Sequence, residues 1–145
     1  MMNKVEKSLN YFKNGFNCSQ ALLATFAADF GLSEEMALKV ATQFGGGARK
    51  GEMCGAVSGA LMVLGLKYGH YHYGAVEEKT NAYIIAEDFM NRFIEKNGTV
   101  VCRELLGYDV SKPEDKEKIK ELDLFHIICP KMIQCATEIV EQMLQ

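Results

Sequence analysis

Proline occurs only twice in this chain, at Pro113 and Pro130, and tryptophan is absent. Alternating runs of β-branched residues are scarce as well. With so few backbone breakers and so little period-two patterning, an all-helical fold is expected over a sheet-based one. Clustered lysine and arginine are also missing. The formal net charge is -3 and the pI is near 5.6, which speaks against a nucleic-acid surface. The longest apolar run, Met53 to Leu66, falls short of the ~20 residues that cross a bilayer, so no membrane insertion is expected. Met1 to Asn17 carries charges every few positions and lacks the apolar h-region of a signal peptide, which makes a cytoplasmic location the expectation. In a reducing compartment the five cysteines point to metal binding or redox chemistry rather than to a disulfide framework.

Three cysteine signatures are lacking too. There is no C-x-x-C, which disfavours a thioredoxin-type dithiol, and no C-x-x-C-H, so covalent haem attachment is not encoded. Paired C-x-x-C knuckles of zinc sites do not occur. Any cysteine pair or four-thiolate site has to be assembled by the fold.

What is present reads as one helical domain over residues 1–145, long enough for a real core. Val5, Leu9 and Phe12 lie at helical spacing and end at Asn14-Gly15, a left-handed C-terminal cap. Asn17 with Gln20 forms a capping box for a helix from Cys18 to about Phe30. Ser33 caps the next helix, whose expected buried stripe is Met36, Val40, Ala41 and Phe44. The segment Phe44 to Gly69 organises the rest: three glycines and a basic pair, then an apolar helix predicted to be buried at the centre of the bundle. Small residues, Gly55, Ala56, Ser58, Gly59 and Ala60, crowd its first turns, where a backbone or a ligand approaches closely. An amphipathic helix from Ala75 to Lys96 turns Ala82, Ala86, Phe89, Met90 and Phe93 inward. A short helix follows the cap Thr99, a charged one starts near Pro113, and Cys129-Pro130 opens the last. Met132 and Met143 on that last helix read as core or homodimer interface.

Four cysteines fall at predicted helix starts: Cys18 after the cap Asn17, Cys54 in the first turn of the central helix, Cys102 three after Thr99, and Cys129 before Pro130. Free N–H groups and the helix dipole stabilise a thiolate at such positions. Cys135 falls inside the last helix and reads as a packing residue. The plain alternative is that every cysteine packs, since cysteine is among the most buried residue types.

NCSQALL (Asn17 to Leu23), FGGG (Phe44 to Gly47), GEMCGAVSGALMVLGLKYG (Gly51 to Gly69), CRELLG (Cys102 to Gly107) and Cys129-Pro130 together resemble the C_GCAxxG_C_C family. These are small helical bacterial and archaeal proteins to which redox activity is ascribed. The resemblance spans nearly the whole chain and implies four characteristic cysteines. It also implies kinship with a domain of split-Soret cytochromes c, where such cysteines suggest a non-haem iron or iron–sulfur centre. The haem-binding portion has no counterpart here, and Cys135 stands outside the four-cysteine pattern.

Carried onto this chain, Cys18, Cys54, Cys102 and Cys129 would ligate an iron–sulfur cluster or another thiolate-bound metal, or supply a reversible dithiol serving a redox partner. Backbone N–H groups around Gly45, Gly46 and Gly47, with Gly55, would offset a cluster's negative charge. Zinc on the same ligands would be structural. A second reading is a cysteine-nucleophile enzyme with a histidine base, the candidates being His126, His70 and His72. A third is a binding module. FGGGARKG lacks the Lys-Ser/Thr of a phosphate loop, because Lys50 is followed by Gly51 and Glu52, and Arg49 and Lys50 read as solvated or as attracting an anion.

Overall fold

In the computed structural model, which describes residues 1–145, the chain is a bundle of α-helices with no strand longer than an isolated bridge. The helices are α1 (Lys4–Lys13), α2 (Cys18–Phe26), α3 (Glu34–Ala41), α4 (Gly55–Tyr68), α5 (Val76–Asn97), α6 (Cys102–Leu106), α7 (Pro113–Glu121), α8 (Leu124–Ile127) and α9 (Cys129–Met143). No helix is long and apolar enough to cross a membrane.

Local signals set most of the helix starts. The Asn17 carboxamide accepts from Gln20 N–H at 2.9 Å while the Gln20 side chain accepts from Asn17 N–H at 2.9 Å, the expected capping box. Ser33 caps α3, and Pro113 lies in the first turn of α7. The α2 helix is shorter than expected, passing at Ala27 into a tighter turn that ends at left-handed Gly31. Every residue of α2 is buried, because α1, α3, α4 and α9 surround it. The α4 helix shares that centre only along its first turns: Gly55, Ala56, Val57, Gly59, Ala60, Val63 and Leu64 are buried, whereas Gly65, Leu66 and Lys67 are exposed.

The expected stripe on α3 is corrected. Only Ala37 and Ala41 are buried, and Met36, Val40 and Phe44 face solvent. The α3 helix packs on α2 through its alanine face, with Leu38 partly buried against the core, and Met36 and Val40 are left outside. On α5, Phe89 and Phe93 are fully buried, while Ala82, Ala86 and Met90 are partly covered.

The α2–α4 crossing is unusually close. A Cβ added at Gly59 would stand 2.6 Å from the Ser19 carbonyl oxygen and 2.8 Å from Leu22 Cβ, and one at Gly55 would stand 3.1 Å from Cys18 Cβ. Gly59→Ala is therefore expected to destabilise by ~1–3 kcal/mol through overpacking, despite alanine's better helix propensity. Urea unfolding checks this; unchanged or raised stability would show that the crossing opens freely.

The core has two parts. The main one joins α2, α3, α4, α5 and α9, and a smaller one gathers Cys102, Leu106, Val110 and Ile119 beneath α6, α7 and α8. Cys129 packs against both.

Candidate functional site

The seam between the two cores is a cavity of about 280 Å³. Cys18, Cys54, Cys102 and Cys129 all line it. Each is brought there by a separate local device. Cys18 is the first residue of α2, held by the Asn17–Gln20 capping box, and Asn17 is itself anchored by donating to the Thr42 carbonyl at 2.9 Å. Cys54 immediately precedes α4 rather than lying in its first turn. Gly55 then lets α4 start against Cys18 and Ser19.

Cys102 is positioned by a contact that helical patterning does not reveal. Met53 and Val101 form an isolated antiparallel bridge, with Cys54 N–H donating to the Val100 carbonyl at 2.8 Å and Cys102 N–H donating to the Glu52 carbonyl. This pairing sets Cys54 and Cys102 side by side. Cys102 opens α6 directly, with Val101 at the cap, so Thr99 is not the helix cap; its hydroxyl accepts from Val101 N–H at 3.1 Å instead. Cys129 begins α9, as expected, with Pro130 next.

Of the four expected glycines, Gly46 and Gly55 line the cavity. Gly45 and Gly47 do not: a Cβ at Gly45 would strike the Asn17 side chain at 2.5 Å, and one at Gly47 the Glu52 backbone at 2.3 Å. Those two glycines serve close packing. His126 is at the cavity rim and exposed, its ring Nδ1 2.6 Å from Asp123 Oδ1, so its contact is with a carboxylate and not with a thiol. His70 and His72 lie in the exposed turn after α4 and line other, shallower hollows. Cys135 lies apart from the cavity and accepts from Asn97 Nδ2 at 3.3 Å. The remainder of the lining includes Phe12, Phe16, Leu105, Phe125 and Met132, residues whose role was not visible in the sequence because each reads as ordinary core.

All five cysteines are free thiols. Their environments differ in kind. Burial pushes the Cys54 thiol up to about 11 and the Cys102 thiol up to about 12. Cys18 and Cys129 act on one another: interaction with Cys129, together with burial, holds the Cys18 thiol well above the ordinary value, and interaction with Cys18 draws the Cys129 thiol below it against the opposing effect of burial. Of the four thiols lining the cavity, Cys129 is therefore the one that ionises most readily.

Burial of Cys54 has a consequence for stability. Below pH 9 its thiol is protonated in both folded and unfolded chains. As pH rises from 9.0 toward about 11 the unfolded chain ionises while the folded one keeps its proton, so stability falls through that window, by roughly 3 kcal/mol at 1.36 kcal/mol per pH unit. Denaturant unfolding of reduced protein across this range, set against Cys54→Ala, checks the loss; parallel curves for the two proteins would refute it.

The approach to the cavity is the segment from Gly46 to Gly51. Gly46, Gly47, Ala48 and Arg49 all have positive φ (65°, 64°, 55° and 66°), a left-handed turn that includes two residues with side chains. Such residues cost about 1–2 kcal/mol each, so the surroundings must hold them in place. Arg103 does so by donating to the Gly51 carbonyl at 3.1 Å and pairing with Glu52 at 3.0 Å, and Glu52 N–H donates back to the Gly47 carbonyl at 3.1 Å. The result is that Arg49 lines the cavity.

Fold and site together define a small all-α protein built around a cavity of four thiols. Residues 16–143 match the family described as "Putative redox-active protein (C_GCAxxG_C_C)", and the chain belongs to that family. No curated protein and no solved structure matches it.

Proposed function

We propose that this protein is a dithiol redox protein in which Cys129 attacks and Cys18 resolves. The observation that carries this reading is that Cys18 and Cys129 line one cavity and act on one another there, one thiol raised and the other lowered. Cys129 Sγ, as thiolate, attacks one sulfur of a substrate disulfide; a mixed disulfide forms and a thiolate leaves. Cys18 then loses its proton and attacks Cys129 Sγ, forming a Cys18–Cys129 disulfide and releasing the second substrate thiol. Two electrons pass from the protein pair to the substrate. Cys129 suits the first role because it is less buried than the other three and begins a 15-residue helix, whose N-terminus favours an anion.

The test is to oxidise the reduced protein with one equivalent of a small disulfide and map the product by peptide mass spectrometry. A Cys18–Cys129 bridge is expected, together with a trapped mixed disulfide on Cys129 in Cys18→Ser. Oxidation confined to other cysteines would sink the reading.

A second reading is favoured by one further observation: the four thiols are spread around a cavity of about 280 Å³ rather than gathered about a point. No three His, Cys, Asp or Glu side chains converge closely enough to hold a single ion, which argues against zinc on this set. The all-thiol donor set fits a polynuclear iron–sulfur cluster held by Cys18, Cys54, Cys102 and Cys129. When bound, such a cluster would supply one-electron transfer. The raised thiols of Cys54 and Cys102 would have to release their protons on loading, so uptake would strengthen with rising pH. Anaerobic purification followed by iron and acid-labile sulfide analysis separates the two readings.

A further inference from the structure

The cavity carries an electrostatic feature that the thiol chemistry does not use. Arg49 is the one lysine or arginine among its lining residues, and no aspartate or glutamate lines it. The Arg49 guanidinium forms no ion pair; its bond is to a neutral group, with Nη1 donating to the Gly45 carbonyl at 3.1 Å. On a chain whose net charge is -3, an uncompensated cation beside reactive thiols is a local exception.

The backbone holds that exception at a cost. Arg49 itself has φ +66°, and Ala48 before it has φ +55°. Gly46 makes room for the folded-back side chain, since a Cβ there would lie 2.6 Å from Arg49 Nη1. Arg49 is exposed, so it stands at the open side of the cavity, where an entering molecule meets it. Strain of this sort persists where surrounding structure enforces it, and it gathers at functional sites.

We propose that Arg49 is the substrate-recognition residue of this cavity and that the substrate is a small disulfide bearing a carboxylate. The proposal rests on the dithiol reading above and names its substrate class. The planar guanidinium suits a carboxylate, which it pairs by two parallel hydrogen bonds. The apolar walls formed by Phe12, Phe16, Leu105 and Phe125 accommodate the remainder of such a molecule, with the disulfide directed at Cys129. The overall exchange is the one already given: two protein thiols are oxidised to a disulfide, and the substrate disulfide is reduced to two thiols, at least one of them carboxylated.

The experiment compares two aromatic disulfides reacting with fully reduced protein: dithiobis-nitrobenzoate, which carries two carboxylates, and dithiodipyridine, which is neutral. Arg49→Gly removes the charge and also relieves the backbone strain, so it is expected to fold at least as well as the parent. It should react with the anionic reagent about tenfold more slowly and with the neutral one at an unchanged rate. Arg49→Lys should retain part of the preference, and added salt should narrow the gap in the parent protein. Equal slowing with both reagents would assign Arg49 to tuning the thiols and overturn the proposal; unchanged rates with both would overturn it as well. The dithiol reading fails separately, if Cys129→Ser reacts with the neutral reagent at the parental rate. A parent protein inert to both reagents would overturn the two together.

Discussion

Cys129→Ser is expected to slow reduction of a neutral aromatic disulfide by roughly 100-fold at neutral pH, the largest effect of any single change at the site. The magnitude follows from the thiols that would remain. With Cys54 at about 11 and an ordinary thiol at 9.0, its thiolate fraction is smaller by roughly two powers of ten, and Cys102, at about 12, is poorer still. Cys18 loses the raising effect of Cys129 in this variant, yet it stays buried, and burial by itself also holds its thiol above the ordinary value. Cys18→Ser should behave differently. The first attack persists and the mixed disulfide accumulates, because no resolving sulfur stands beside Cys129. Stopped-flow absorbance with intact-mass measurement separates the two variants, and a Cys129→Ser protein reacting at the full rate would remove Cys129 from its role.

Phe93→Ala is expected to cost ~3–5 kcal/mol of folding stability, a large share of the ~5–15 kcal/mol available to a domain. Of the 22 residues in α5, only Phe89 and Phe93 are buried. The two rings lie 6.2 Å apart in a stacked arrangement, fully covered by the main core. Removing one leaves a cavity and strips its partner of a contact, and the rest of α5 has little other apolar anchorage. Guanidinium unfolding measures the effect. A loss below about 1 kcal/mol would mean that α5 can repack or that its docking contributes little to the fold. Since α5 contributes nothing to the cavity lining, the folded variant should keep the thiol reactivity of the parent.

These two changes mark the division between what is written locally and what is not. Helix starts were legible because their signals sit within three or four residues: Asn17 with Gln20, Ser33 before its glutamates, Pro113 in a first turn. The placement of Cys18 and Cys129 at helix openings followed from the same signals. The stripe on α3 was misread because hydrophobic spacing offers more than one face without saying which one the neighbour covers; the alanines take the inner position and Met36 and Val40 stay outside. Thr99 was misread as a cap because a two-residue pairing between Met53 and Val101 is too short to leave a period in the sequence. The glycine run had a visible signal, but its four-residue left-handed turn did not, since Ala48 and Arg49 ordinarily avoid that conformation.

By itself, then, the sequence settled the class of fold, the capped helix openings and the identity of the cysteines found there, since each depends on hydrogen bonds and steric preferences between near neighbours. Tertiary structure alone decided that four thiols distant in the chain line one cavity, that Cys18 and Cys129 act on one another there while Cys54 and Cys102 are buried, and that Arg49 lines the same cavity. Those outcomes depend on how closely α2 and α4 approach at Gly55 and Gly59, and on a strained turn that only distant partners such as Arg103 hold in place.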